Sequence, residues 1–339
     1  MKGTSPLAQL DARTRLAHFR WMLLGRTLDE RLAMLYRAGG IRGGSVFLGR
    51  GQEAFSAAGA MQLHPGRDVF APLIRDSAGR LAVGETPLDA FRVCLGRATG
   101  MMRGRDGNIH RGRLAAGIWP MISHLGTTLA PMCGVLMGRR LRGQTDSIVL
   151  ASIGDGGMST GAAHEAINIA AIERLPLVLM LADNHLSYST FSDRTYACRD
   201  LVDRAIGYGV RGHSLDGTDA SACLTVMTAA VARARAGEGP QLVVAHLLRL
   251  AGHGEHDDSS YVPQELKDRY GDCLPLAERA LLADGVIDAP ALAALHDEAQ
   301  AQVAAALAQA QGEAEPNPAE EDWSALSTRE LTRFVGAWR

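Results

Sequence analysis

Apolar residues recur at Leu16, Phe19, Leu23, Leu24, Leu28, Leu32 and Leu35, with charged residues between them. Intervals of three and four predict one amphipathic helix over residues 12–38, ended by Gly39-Gly40. From residue 40 to 120, glycine and arginine interrupt the pattern every few positions. That stretch predicts a helix over 51–62, a turn at His64-Pro65-Gly66-Arg67-Asp68 and a long loop over 100–117. The central third changes character. Residues 147–153 and 177–182 are continuous apolar runs, and 160–174 between them has helical spacing, with Ser159 and Thr160 as caps. Strands without polar alternation are covered on both faces, so this β-α-β unit predicts an α/β fold with a doubly wound parallel sheet. Residues 241–248 supply a further strand, followed by a polar loop over 251–263, an Ala/Leu-rich helical tail over 275–310 and an acidic linker over 312–322. The chain therefore divides into an N-terminal helical arm (1–40), a sheet domain (41–275) and a helical C-terminal extension with its tail (276–339).

Composition narrows the classes. With 339 residues, 47% hydrophobic and 21% charged, the chain is neither disordered nor collagen-like, and it buries roughly three quarters of its unfolded surface. Thirty-five Lys and Arg against 37 Asp and Glu leave a net charge of −2, too little for a field that holds nucleic acid or an anionic membrane. Five cysteines, at 94, 133, 198, 223 and 273, form no CxxC pair and indicate neither a disulfide framework nor a zinc knuckle. Asp11, Arg13 and Arg15 interrupt any signal-peptide core, and the longest clean apolar stretch, 175–182, is too short for a bilayer. A cytoplasmic chain with no membrane segment is expected.

The chemistry concentrates where the first central strand passes into its helix, at Gly154-Asp155-Gly156-Gly157-Met158-Ser159-Thr160-Gly161. Ligands of parallel sheets bind at that carboxyl edge, and glycines before a helix N-terminus invite a phosphate. Asp155 repels a bare phosphate unless a divalent cation lies between them. The next strand ends at Asp183-Asn184, and parallel neighbours lie about 4.8 Å apart, so Asp155 and Asn184 are placed to share one hard cation. A dinucleotide fingerprint fits worse, because Ser159 stands where its third glycine belongs and Asp183 comes too late. No GxxxxGK[ST] occurs. A transition-metal cluster of His253, His256, Asp257 and Asp258 is the competing metal reading, whereas His164 and His185 read as packing or surface residues.

The stretch GDGGMSTGAAHEAINIAAIERLPLVLMLADNHLSYST resembles the α subunit of 2-oxo acid dehydrogenase E1 components. The resemblance extends through Gly51-Gln52-Glu53-Ala54, Arg75-Asp76, Gly96-Arg97, Gly104 to His110, Ile122-Ser123-His124-Leu125, Gly252-His253 and Asp257-Asp258-Ser259-Ser260. It implies a thiamine diphosphate-binding fold in which Gly154, Asp155, Gly156 and Gly157 line the cofactor. Asp155, Asn184 and the Leu186 carbonyl would hold Mg²⁺, Arg75 the diphosphate, and the backbone of Ser123 and Leu125 the aminopyrimidine. His253, with His110 nearby, would handle protons beside the cofactor. The implied reaction is oxidative decarboxylation of a small 2-oxo acid with acyl transfer to a lipoyl-bearing E2. A β-type E1 subunit would complete the site in an α₂β₂ heterotetramer, because only one doubly wound domain fits in this chain. An acetoin-type or carboligating thiamine enzyme subunit, or a non-catalytic assembly subunit, stays open. Ile74, Ser77, Thr160 and Ala182 depart from the family pattern, which usually has tyrosine, histidine, glutamate and, in some members, arginine there.

Overall fold

Asp11 starts the first helix, α1 (Ala12–Arg37), by accepting the Thr14 N–H at 2.7 Å. This computed structural model describes residues 10–41, 44–106 and 110–323. Residues 107–109 of the predicted loop and the end of the predicted extension lie outside them. The 51–62 helix is observed as the shorter α2 (Glu53–Ala60), because Gly51 holds a left-handed φ of +89° just before the cap. After the predicted turn comes β1 (Val69–Ala71), then α3 (Ser77–Val83), α4 (Pro87–Cys94) and α5 (Leu129–Leu141). The glycine and arginine punctuation of residues 40–120 hides α3 and α4. The β-α-β unit follows as β2 (Val149–Gly154), α6 (Gly161–Ile172) and β3 (Leu177–Asp183). Thr160 caps α6 by accepting the Ala163 N–H at 3.3 Å. A small hairpin, β4 (Leu186–Ser187) and β5 (Thr190–Phe191), leads to α7 (Arg204–Tyr208), β6 (Arg211–Asp216), α8 (Ala220–Arg235) and β7 (Gln241–His246).

The sheet runs β1-β2-β3-β7-β6 with every pairing parallel. Alternate residues of each inner strand serve opposite faces. Leu150, Val178, Met180, Val243 and Ala245 join a core with α1, α2, α3 and α8. Val149, Ala151, Leu179, Leu181 and Val244 join another with α5 and α6. Both faces are covered, which is the doubly wound arrangement predicted from the apolar runs.

The single predicted tail over 275–310 is instead two helices, α10 (Cys273–Ala283) and α11 (Ala289–Gly312), after the short α9 (Gln264–Arg269). Gly285, at φ +65°, ends the first, and Asp288 caps the second by accepting the Ala291 N–H at 2.8 Å. The segment read as an acidic linker is strapped onto the arginine-rich stretch instead. Glu313 meets Arg92 at 2.7 Å, Glu315 meets Arg97 at 3.3 Å and Glu321 meets Arg105 at 2.5 Å. Each such pair contributes little alone, but together they oppose one charge run to another. Among the described residues no helix is long and apolar enough to cross a membrane.

One buried histidine sets an acid limit on this core. His18 of α1 is 1% exposed, and its Nε2–H donates to the Ala54 carbonyl at 2.8 Å. Burial pushes its pKa down from 6.5 to about 4. Between those values the unfolded chain binds a proton that the native chain refuses, so this histidine's stability is complete above pH 6.5 and declines on acidification. Chemical denaturation at pH 7 and pH 5 should show wild type losing about 2 kcal/mol more than His18→Gln. Equal losses would remove His18 from the account.

Candidate functional site

The chain turns sharply at the carboxyl ends of β2 and β3. Gly154 pairs with Ala182 across the two strands, so Asp155 and the Asp183-Asn184 pair emerge side by side. Gly156 lies so close to the hairpin that a methyl group there would run into the Ser187 side chain, and only glycine fits. Asn184 Oδ1 accepts the Leu186 N–H at 3.2 Å, which bends the chain back over the edge.

A cavity of about 370 Å³ opens there. It is lined by Arg75, Ser123, Leu125, Gly154, Asp155, Gly156, Gly157, Asn184, Leu186 and His253, so nearly all the residues singled out in the sequence meet at one place. His110 is not in the lining but reaches it through Ser123. Its Nε2 lies 2.6 Å from Ser123 Oγ and its Nδ1 2.7 Å from Asp106 Oδ2. The alternative cluster disperses: His253 N–H donates to Asp257 at 2.6 Å, His256 Nδ1 pairs with Ser45 Oγ at 2.9 Å, and Asp258 accepts the Ser260 N–H at 2.9 Å. His164 pairs with the Tyr208 hydroxyl.

The cavity wall is short of partners. Gln52 Nε2, Arg75 Nε, Ser152 Oγ, Asp155 Oδ2 and His253 Nδ1 are all buried without a hydrogen bond, and all five residues line the cavity. Buried polar atoms are rarely left in that state. Burial, reinforced by the nearby Asp183 carboxylate, raises the Asp155 pKa to about 7. Burial and the neighbouring Arg249 guanidinium lower Arg75 to about 10, still charged at neutral pH. Burial, then Arg75 and Arg249, lowers His253 to about 4, so its imidazole is neutral. The wall thus has a carboxylate and a guanidinium that attract each other only at a distance, each with an atom left without a hydrogen bond. A divalent cation carrying a diphosphate satisfies both, so the residues fit that group.

Sequence reasoning missed Arg249, which is 3% exposed and donates to the Tyr188 carbonyl at 2.6 Å and to Tyr261 Oη at 2.5 Å. Its signal was a lone arginine just after an apolar strand, at the sheet edge already singled out. The cavity mouth is apolar and open, with Leu125 57% and Tyr188 53% exposed. The Tyr188 ring packs edge-on against His253 at 4.3 Å between centroids.

Comparison with known proteins places this edge in context. Residues 19–319 match the family model described as dehydrogenase E1 component. The chain is 31% identical over 314 residues to the α subunit of acetoin:2,6-dichlorophenolindophenol oxidoreductase from Cupriavidus necator, covering 92% of this chain and 93% of the relative. It is 33% identical over 255 residues to the 2-oxoisovalerate dehydrogenase α subunit of Bacillus subtilis, covering 73% and 74%. It is 29% identical over 316 residues to the pyruvate dehydrogenase E1 α subunit of Zymomonas mobilis, covering 92% and 88%. The matched segment carries the sheet, the cavity and its five unpartnered polar atoms, so the chain belongs to the dehydrogenase E1 component family.

Proposed function

We propose that this chain is the α subunit of a thiamine diphosphate-dependent 2-oxo acid dehydrogenase, working in the cytoplasm with a β-type subunit in an α₂β₂ assembly. The observation that carries the reading is the ring of unpartnered buried atoms of both charge signs around one cavity. Asp155, Asn184 and the Leu186 carbonyl would hold Mg²⁺, and Arg75 the diphosphate. Arg249 adds positive potential felt by Asp155, Arg75 and His253, whereas Ala182 stands where some members carry an arginine. The backbone of Ser123 and Leu125 would border the aminopyrimidine.

When bound, thiamine diphosphate supplies the electron sink for decarboxylation of a 2-oxo acid. The chain's own groups orient and handle protons around it. His253 is neutral and offers an unpartnered Nδ1, which suits it to accept a hydrogen bond from a group bound in the cavity. A pKa held near 4 makes it a weak base, so a proton-handling role would need a bound anion to raise it. His110, held by Asp106, fixes the Ser123 hydroxyl at the rim. Phe47, Ile122, Met121 and Leu125 make the remaining lining largely apolar, which suits the hydrocarbon side of a small oxo acid. A lipoyl-bearing E2 would accept the acyl group. A second reading, cleavage of acetoin, is favoured by the similarity to the acetoin oxidoreductase subunit over 92% of this chain.

Co-expression with a β-type subunit, followed by ferricyanide-coupled turnover of pyruvate, 2-oxoisovalerate and acetoin, tests both readings. Turnover is expected only for the pair, and the preferred substrate chooses between the readings. Tight binding of cofactor by the pair without turnover of any of the three would sink both in favour of an assembly subunit.

A further inference from the structure

On the β7 side of Asp183 lies a second group of side chains that the cavity does not use. Asp183, His185 and His246 place one ligand atom each within 4.8 Å of one another. Strand register sets this up, because Asp183 at the end of β3 pairs directly with His246 at the end of β7. His246 Nδ1 is 3.3 Å from Asp183 Oδ2, and His185 Nδ1 is 3.7 Å from Asp183 Oδ1.

The far nitrogen of each ring is already held. His185 Nε2 lies 2.6 Å from the Tyr270 hydroxyl, and His246 Nε2 lies 3.0 Å from both Asp200 Oδ2 and Ser214 Oγ. Both Nδ1 atoms are therefore directed inward at the carboxylate. Fixing one imidazole nitrogen to an outer partner so that the other faces a metal is the usual second layer of a metal site. His185 also keeps a left-handed φ of +63°, where glycine would be cheaper, so its side chain is placed at a backbone cost. The three groups open into a cleft of about 640 Å³, which leaves room for a fourth ligand.

We propose that Asp183, His185 and His246 form a binding site for a divalent transition metal of the zinc class, separate from the Asp155 and Asn184 site. Two imidazoles and one carboxylate suit zinc, whereas magnesium prefers an all-oxygen shell. Asn184 lies between Asp183 and His185 in sequence, so a metal here clamps the backbone on both sides of it.

Titration of the chelator-washed full-length chain with ZnCl₂, followed by calorimetry and by the visible absorption of a Co²⁺ substitute, tests this. Wild type should bind one zinc per chain, His246→Gln and His185→Gln should abolish that binding, and Asp200→Asn should weaken it about 10- to 100-fold. Asp155→Asn should bind zinc as wild type does. His185→Gly, which relaxes the left-handed residue, repeats the test if the glutamine variants fail to fold. Absence of saturable zinc binding in the wild type, or undiminished binding in the folded histidine variants, overturns the proposal. So does loss in Asp155→Asn, which would place the zinc in the cofactor cavity.

Discussion

On the proposed magnesium site, Asp155→Asn should cost the assembled enzyme its hold on thiamine diphosphate. The substitution keeps the side chain's shape and removes only its charge. Asp155 is 2% exposed with one oxygen unpartnered, so a bound cation would face it across very little water. Deleting one member of a buried charge pair costs about 3–5 kcal/mol, or roughly 10²- to 10⁴-fold in affinity. Gel filtration with Mg²⁺ present should return the variant free of cofactor and the wild type loaded. The same variant, free of ligand, should unfold at equal or higher denaturant concentration than wild type at pH 8, because a neutral amide replaces a buried carboxylate that lacks its counter-ion. Loss of cofactor with a large loss of stability would point to a structural role, and full retention would remove Asp155 from the metal site.

Glu53→Ala should be the most damaging single change to folding. Glu53 opens α2 at 2% exposed, and its two oxygens are fully engaged. Arg26 Nε of α1 donates to one at 2.5 Å, and the Gly51 N–H and the Cys273 thiol donate to the other at 2.8 and 3.2 Å. Arg26 in turn grips Asp272, which caps α10, at 2.8 and 2.9 Å. Removing the glutamate leaves the buried Arg26 guanidinium with Asp272 as its remaining carboxylate and the Gly51 N–H without its acceptor, a loss of about 3 kcal/mol, the low end for a broken buried pair. Urea denaturation should register it, and the double variant Arg26→Met/Glu53→Ala should recover part of the loss. A midpoint equal to wild type would refute the coupling.

What the sequence revealed follows from burial. β2, β3 and β7 stand out as apolar runs because both faces of the sheet are covered. β6 does not, because it is an edge strand in which only Leu215 is buried, and Arg-Gly-His-Ser-Leu-Asp carries no such signature. β1 is three residues long and follows a turn signal, and a strand that short has no period to read. The long helical tail was read through Asp284-Gly285, although Asp288-Ala289-Pro290 is a legible helix start. Of the residues that meet at the cavity, Asp155 and Asn184 stand out through strand–helix grammar, and Arg75, Ser123, Leu125 and His253, with His110 one contact away on Ser123, through resemblance. Arg249, Ser152 and the His185–His246 pair depend on which side chains neighbouring strands bring together. No local pattern encodes that.

The apolar rim at Leu125 and Tyr188 carries a consequence for assembly. If the β-type subunit covers that rim and the cofactor lies beneath it, the two binding events share one surface and become thermodynamically linked. Reciprocity then requires that cofactor tighten the subunits by the same factor by which the subunits tighten cofactor. Subunit dissociation on dilution would therefore be a sensor of thiamine supply, with a concentration dependence set by the cofactor.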